Sequence, residues 1–103
     1  MSVQLHNTKM SEYGETVYSD DAGETLKYIY DLADARQDFD NDKWLYTGNK
    51  FALEYVEMSP KLAREVANAL RDEGKVALAE QIKACIWEAQ MKWKQEAVRL
   101  EIW

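Results

Sequence analysis

The sequence contains few of the residues from which enzyme and metal sites are usually built. In 103 residues it has one histidine, one cysteine, one proline and four glycines. A single cysteine cannot form an internal disulfide, which is typical of proteins from a reducing compartment. No glycine-rich phosphate loop and no paired-cysteine metal pattern is present. We therefore predict that the protein needs no cofactor.

Catalysis also fits this composition poorly. His6, the one histidine, lies in the least regular part of the chain, and a general base or an activated nucleophile would have to be built around it. Cys85 lies between Ile82 and Ile86, where a cysteine is usually a small apolar filler. We predict that the protein is not an enzyme and has no catalytic residues.

Long apolar runs are missing as well. No apolar stretch approaches the roughly 18 residues of a membrane helix, and the start lacks the basic-then-apolar pattern of a signal peptide. The net charge of −6 disfavours direct contact with nucleic acid or with an anionic membrane, because both are negatively charged. We expect a cytoplasmic protein that binds neither. With 47% apolar and 31% charged residues, residues 1–103 are predicted to form one domain.

One segment of the chain is strongly acidic. Residues 12–42 hold ten acidic and two basic residues, whereas the rest of the chain holds nine acidic and eleven basic ones. Such a one-sided charge bears on which partners a surface attracts rather than on the fold. The acids are Glu12, Glu15, Asp20, Asp21, Glu24, Asp31, Asp34, Asp38, Asp40 and Asp42.

The first 20 residues are predicted to be loosely structured or to form short strands. Val3 and Leu5 alternate with polar residues, and residues 16–18 are a second β-prone run. A hairpin between these two runs is therefore an option.

An acidic amphipathic helix is predicted over residues 22–38. Residues 19–21 have the short oxygen-bearing side chains that cap helix starts, and apolar residues then recur at helical spacing. Asp31, Asp34 and Asp38 would project as a row of carboxylates from its outer face.

Residues 43–57 are predicted to form a β-hairpin, with a helix from residue 49 as the alternative. Gly48 and Asn49 would form a two-residue turn of type II′. In that register Tyr46 would oppose Phe51.

A helical hairpin is predicted for the C-terminal half. Ser59 and Pro60 are a good N-cap followed by a proline in the first helical position. The first helix is predicted over 60–73, with Gly74 as its left-handed C-cap, and the last helix over 75–102. The two helices would pack as an antiparallel αα-hairpin.

The last helix carries a second apolar face. Its 28 residues would span about 42 Å, more than the diameter of about 33 Å expected for a compact domain of this size. We therefore expect contact on both sides, either in a homodimer or with a partner helix, or from the β-hairpin and the first helix within one monomer. The residues assigned to this interface are Trp87, Met91, Val98, Ile102 and Trp103.

Three aspartates partly match a calcium-binding loop. Asp38, Asp40 and Asp42 occupy its first, third and fifth positions, but Lys43 replaces the glycine of the sixth and Asn49 the glutamate of the twelfth. We therefore predict no metal site, and we assign these aspartates to a turn that extends the acidic face.

These features favour a non-enzymatic binding protein with an α+β fold. The fold would comprise an acidic helix, a small β-hairpin and a C-terminal αα-hairpin with a long last helix, an all-α bundle being the alternative. We predict that the acidic face engages and inhibits a basic protein that handles nucleic acid. Toxin-neutralising immunity proteins and phage-encoded antagonists of host defence fit this physical description. The residues assigned to partner binding are Asp31, Asp34, Asp38, Asp40 and Asp42.

Two other functions, and a plainer explanation of the charge, stay open. The protein could be a structural, homo-oligomerising helical protein, or a module that binds a small ligand or, weakly, a divalent metal. The acids could also serve only solubility and the helix start.

Overall fold

Within residues 4–9 and 12–103, which the computed structural model describes, five antiparallel strands and three α-helices form an α+β fold, as predicted. The elements are β1 (Leu5–Lys9), β2 (Glu12–Val17), α1 (Ala22–Arg36), a 3-10 turn (Phe39–Asn41), β3 (Leu45–Tyr46), β4 (Tyr55–Met58), α2 (Pro60–Asp72), α3 (Val76–Trp87), a π-helical turn (Glu88–Lys92) and β5 (Val98–Ile102). No helix in this part of the chain is both long enough and apolar enough to cross a membrane.

The last strand in sequence lies in the middle of the sheet. The strand order is β2-β1-β5-β4-β3, so β5 pairs with β1 on one side and with β4 on the other. Val98 and Leu100 are fully buried, while Arg99 between them lies on the opposite face. This alternation is the period-two pattern of a strand with one covered face.

The helices cover one face of the sheet and form the core with it. α1 contacts β1, β4 and β5, whereas α3 lies against β2 and packs on α2. The result is a two-layer α+β domain. The large, fully buried side chains of this core are Leu5, Val17, Leu26, Ile29, Val56, Met58, Leu62, Val66, Leu70, Ile82, Val98 and Leu100.

Three predicted helix ends are confirmed by their hydrogen bonds. Asp21 accepts from the Glu24 amide at 3.1 Å, and the Ser59 hydroxyl accepts from the Leu62 amide at 3.2 Å. Gly74 has a φ of 83°, and its amide donates to the Arg71 carbonyl at 2.9 Å. That geometry is the left-handed termination for which glycine is favoured.

The helical hairpin is confirmed, but the predicted end of its last helix is wrong. Helical structure runs from Val76 to Lys92, which spans at most about 26 Å. Lys94 then takes a φ of 56°, which breaks the helix, and residues 98–102 form β5. The strand prevails because it places Val98 and Leu100 in the core between β1 and β4.

The predicted β-hairpin is present, but its register is wrong. Tyr46 opposes Glu57 rather than Phe51, and Leu45 opposes Met58, which buries both members of that pair. A loop therefore replaces the predicted two-residue turn. Burial of the Leu45–Met58 pair in the core fixes this register.

Two further predictions of local structure concern the first 38 residues. Strands β1 and β2 pair antiparallel, as the predicted hairpin requires, while Val3 lies outside the described residues. The acidic helix ends at Arg36, two residues before its predicted end, because Asp38 is extended with a φ of −158°. Asp38 therefore does not share a helical face with Asp31 and Asp34.

A buried carboxylate ties the π-helical turn to the first hairpin. Glu88 Oε1 accepts from Asn7 Nδ2 at 2.9 Å and from the Glu15 amide at 2.8 Å. Asn7 Nδ2 also donates to the Cys85 carbonyl at 3.1 Å. Gly14 provides the room, since a Cβ there would overlap the Glu88 carboxylate. The end of the last helix is thus fastened to β1 and β2.

Candidate functional site

The five predicted partner-binding aspartates lie along one continuous stretch at the end of α1. Asp31 and Asp34 are exposed on the helix, Asp38 is half-buried just after it, and Asp40 and Asp42 are exposed in and after the 3-10 turn. The structure therefore presents carboxylates in this stretch, but not as the predicted row along one helix.

Backbone hydrogen bonds give the turn a fixed shape. The Asp38 amide donates to the Lys43 carbonyl at 2.8 Å, and the Lys43 amide donates back at 2.9 Å. Asp42 closes the turn with a φ of 60°, a conformation that aspartate tolerates better than most residues. The chain between Asp38 and Lys43 is thus a small closed loop.

Helix α2 braces this loop from beneath. Lys61 Nζ donates to the Asn41 carbonyl at 3.0 Å, and Lys43 Nζ lies 3.2 Å from Glu65 Oε2. Lys61 and Glu65 are one helical turn apart on α2. Both side-chain contacts of the loop are therefore made to α2.

The carboxylates differ in how far local partners occupy them. Asp31 lies 3.8 Å from Lys27, and Asp34 accepts from Gln37 Nε2 at 2.6 Å. For Asp40 and Asp42, the described residues supply no side-chain hydrogen bond and no ion pair. These two are the carboxylates most available to a partner.

Asp38 is held in its charged form. Its carboxylate accepts from Asn41 Nδ2 at 2.6 Å, and this hydrogen bond lowers the pKa of Asp38 below its ordinary value of 3.8. Partial burial opposes the effect, whereas the nearby Lys43 charge adds to it. The charge at the base of the loop therefore persists well into the acidic range.

Three aromatic rings lie among these carboxylates. The Phe39 and Tyr46 rings meet edge to face with their centres 5.7 Å apart, and the Trp44 ring is 5.5 Å from that of Tyr46. Phe39 is 53% exposed and Tyr46 is 56% exposed. Apolar rings left in water beside unpaired carboxylates are typical of a protein-binding surface.

We name this region the acidic–aromatic surface. Its members are Asp31, Asp34, Asp38, Phe39, Asp40, Asp42, Trp44 and Tyr46. Sequence reasoning found the acids but not the role of the rings. The sequence does carry one signal for an exposed ring: Phe39 stands between Asp38 and Asp40 and so has no apolar neighbour next to it in the chain.

A cleft borders the acidic–aromatic surface. It has a volume of about 520 Å³ and lies between Asp42 and Trp44 on one side and the chain after the π-helical turn on the other. Asp42 and Lys94, the non-glycine residues with positive φ in the described chain, both line it. The full lining is Asp42, Trp44, Pro60, Gln90, Lys94, Gln95 and Glu96.

The residues predicted to form one oligomer interface are separated in the structure. Trp87 and Met91 are exposed on the last helix, but Val98 is fully buried in β5 and Ile102 packs partly against the core. Trp103 is exposed elsewhere, with its ring 4.8 Å from that of Tyr13. The prediction that the five share one face is wrong because the chain leaves the helix after Lys92.

The residues considered for catalysis or metal binding do not come together. Cys85 is buried, and that burial raises the pKa of its thiol. His6 lies in β1, its Nδ1 3.2 Å from the Thr16 hydroxyl. Among residues 4–9 and 12–103, no three histidine, cysteine or acidic side chains are grouped so that they could hold a metal ion.

Comparisons of the chain with protein-family models, with curated proteins and with solved structures found no match. Its function must therefore be argued from the surface itself.

Proposed function

We propose that this chain is a non-enzymatic binding protein whose acidic–aromatic surface engages a basic protein and blocks it. The observation that carries the proposal is the exposed ring pair of Phe39 and Tyr46, which belongs to the same short segment, residues 38–46, as the unpaired carboxylates of Asp40 and Asp42. Solubility alone would explain the carboxylates, but it does not explain two large rings left in water.

The two parts of the surface would contribute differently. The carboxylates attract a basic partner and speed the encounter, while exposed ion pairs add little affinity at equilibrium. The rings lose water when the partner covers them, and such aromatic anchors dominate the energy of many interfaces. We therefore assign the association rate and the specificity to the aspartates, and most of the binding affinity to Phe39 and Tyr46.

The bordering cleft suggests how a basic side chain would be recognised. An arginine or lysine of the partner could enter beside the Trp44 ring and the Asp42 carboxylate. Stacking on an aromatic face and pairing with a carboxylate are two interactions that arginine makes together.

A surface that binds nucleic acid is the partner type that best matches these groups. Such surfaces are rich in lysine and arginine, and an acidic protein that covers them competes with phosphates. We propose that the protein acts in this way in the cytoplasm, in keeping with its one free and buried cysteine. Immunity proteins and phage-encoded antagonists of host defence are the functional types proposed.

Affinity capture followed by competition tests the proposal. The wild-type protein is used to capture a partner from lysate, and the purified partner is then titrated with the protein in the presence of labelled nucleic acid. We expect a basic partner that releases the nucleic acid. A variant with Asp31, Asp34, Asp38, Asp40 and Asp42 changed to asparagine should capture little of it.

A matched variant controls for the loss of total charge. It changes five exposed acids outside the surface and its bordering cleft to amides: Glu12, Asp20, Glu24, Glu54 and Asp72. It should capture the partner as the wild type does. Equal losses in the two variants, or a partner that keeps its nucleic acid, would reject the proposed function.

A further inference from the structure

A second surface of the protein has the opposite character. It is a groove of about 560 Å³ between α2 and the last helix, lined by Arg64, Asn68, Lys83, Ile86, Trp87, Gln90 and Met91. The lining includes two bases and no acid, in a chain whose net charge is −6. It therefore cannot serve the basic partner proposed for the acidic–aromatic surface.

The groove is built from two regular helical stripes. Arg64 and Asn68 are one turn apart on α2, and the other five residues recur at helical spacing from Lys83 to Met91. Arg64 Nη2 donates to Gln90 Oε1 at 2.7 Å, so that the two walls are already joined. The two walls are therefore held in position relative to each other before a ligand binds.

Its apolar residues are left uncovered. Trp87 is 62% exposed and Met91 is 57% exposed. In the described part of the chain neither Arg64 nor Lys83 is in an ion pair, whereas Arg71, Lys43 and Arg99 all have carboxylate partners. The two apolar side chains are thus uncovered, and the two bases lack a carboxylate partner in the described residues.

We propose that this groove binds an acidic amphipathic helix of a partner protein. The apolar side chains of that helix would pack on Trp87 and Met91, and its carboxylates would pair with Arg64 and Lys83. An amphipathic helix in a groove between two helices is a common recognition mode, with anchors spaced by three or four residues.

A symmetric dimer through the same groove fits less well. A two-fold axis sets the same patch of both copies face to face, which would bring Arg64 and Lys83 near their own counterparts. Like charges in juxtaposition disfavour such an interface. An acidic occupant satisfies both bases instead.

Binding of designed peptides tests the proposal. The probe is a labelled helical peptide with a leucine stripe flanked by glutamates, and its control carries lysines in place of the glutamates. Fluorescence anisotropy should show binding of the glutamate peptide and much weaker binding of the lysine peptide. Trp87→Ala should weaken the binding at least about tenfold.

Charge variants separate the groove from the overall charge. The double variant Arg64→Glu/Lys83→Glu should bind the glutamate peptide more weakly and the lysine peptide more tightly than the wild type does. Lys27→Glu with Lys50→Glu changes the net charge equally outside the groove and should leave that preference in place. Phe51→Ala, which removes a ring that is 90% exposed in another loop, should change nothing.

Three results would overturn the proposal. They are equal binding of both peptides, binding that Trp87→Ala leaves intact, and no binding of either peptide. The protein could instead self-associate, and the Arg64→Glu/Lys83→Glu variant and the five-aspartate variant would then both abolish that self-association. That result would assign the groove to a second copy of this chain. An unchanged unfolding midpoint shows that a variant is folded. If Trp87→Ala does not fold, Met91→Ala takes its place.

Discussion

At the scale of single residues, the most constrained contact is that between Gly14 and Glu88. The buried carboxylate occupies the space that a side chain at position 14 would need, and it also satisfies the Asn7 side chain and the Glu15 amide. One acidic side chain thus decides both which residue β2 can hold there and how the last helix is fastened.

Gly14→Ala should therefore destabilise the protein by about 1–3 kcal/mol, as overpacking does. Glu88→Ala should cost about 1–3 kcal/mol because it leaves buried donors without an acceptor. The double variant should cost less than the sum, since without the carboxylate the new methyl group has room. Urea unfolding measures all three.

Gly23→Ala is the control for this cycle. Gly23 is exposed in the first turn of α1, and alanine there should stabilise the protein by up to about 1 kcal/mol. Additive costs at Gly14 and Glu88 would contradict the contact as described.

The Asp38 carboxylate makes a prediction about pH. Because the Asn41 hydrogen bond lowers its pKa, its contribution to stability is complete above pH 3.8 and is lost as the pH falls through the lowered value. Asn41→Ala should raise the Asp38 pKa towards 3.8, as measured by NMR titration of the side-chain carboxyl. An unchanged pKa in that variant would show that the hydrogen bond is not its cause.

At the scale of elements, the sequence predicts a helix correctly where a capping residue marks its end. Asp21, Ser59 and Gly74 each cap a helix through a bond that their own side chain or backbone dictates. For this reason α1, α2 and the αα-hairpin could be predicted from the sequence. The strands of the first hairpin were visible as short β-prone runs.

Local signals failed where pairing with distant residues decides the structure. Residues 98–102 alternate apolar and polar residues, which is a strand signal, yet Leu100 also continues the helical stripe of the preceding segment. Only pairing with β1 and β4, far away in sequence, selects the strand. The register of β3 with β4 was missed for the same reason.

The break after the last helix can be tested by substitution. Lys94 has a φ of 56°, which costs a residue with a side chain roughly 1 kcal/mol or more and costs glycine nothing. Lys94→Gly should therefore leave thermal stability unchanged or raise it. Lys83→Gly, inside α3, should cost about 1 kcal/mol. If both cost the same, the left-handed turn at Lys94 is not as described.

At the scale of the whole molecule, two surfaces of opposite charge each combine charged groups with exposed apolar side chains. The acidic–aromatic surface follows the end of α1, and the basic groove lies between α2 and the last helix. The acids of the first surface could be predicted from the sequence because they all lie within one 12-residue segment of the chain, residues 31–42. The groove could not, since Arg64 and Lys83 come together only through the packing of two helices.

The acids alone therefore do not account for the function that we propose. In the function that we propose, the five carboxylates attract the partner and the exposed rings of Phe39 and Tyr46 bind it. The predicted oligomer face is also different in the structure, because Val98 lies in the core. Trp87 and Met91 remain exposed, beside two bases that the prediction had not included.

The most direct test is the salt dependence of binding to the captured basic partner. Association and dissociation rates are measured from low to high ionic strength for the wild type, the five-aspartate variant, Phe39→Ala and Phe51→Ala. We predict that salt and the aspartate variant slow association, that Phe39→Ala speeds dissociation at least about tenfold, and that Phe51→Ala changes neither. An association rate that is independent of salt and the same in the five-aspartate variant would contradict the central claim.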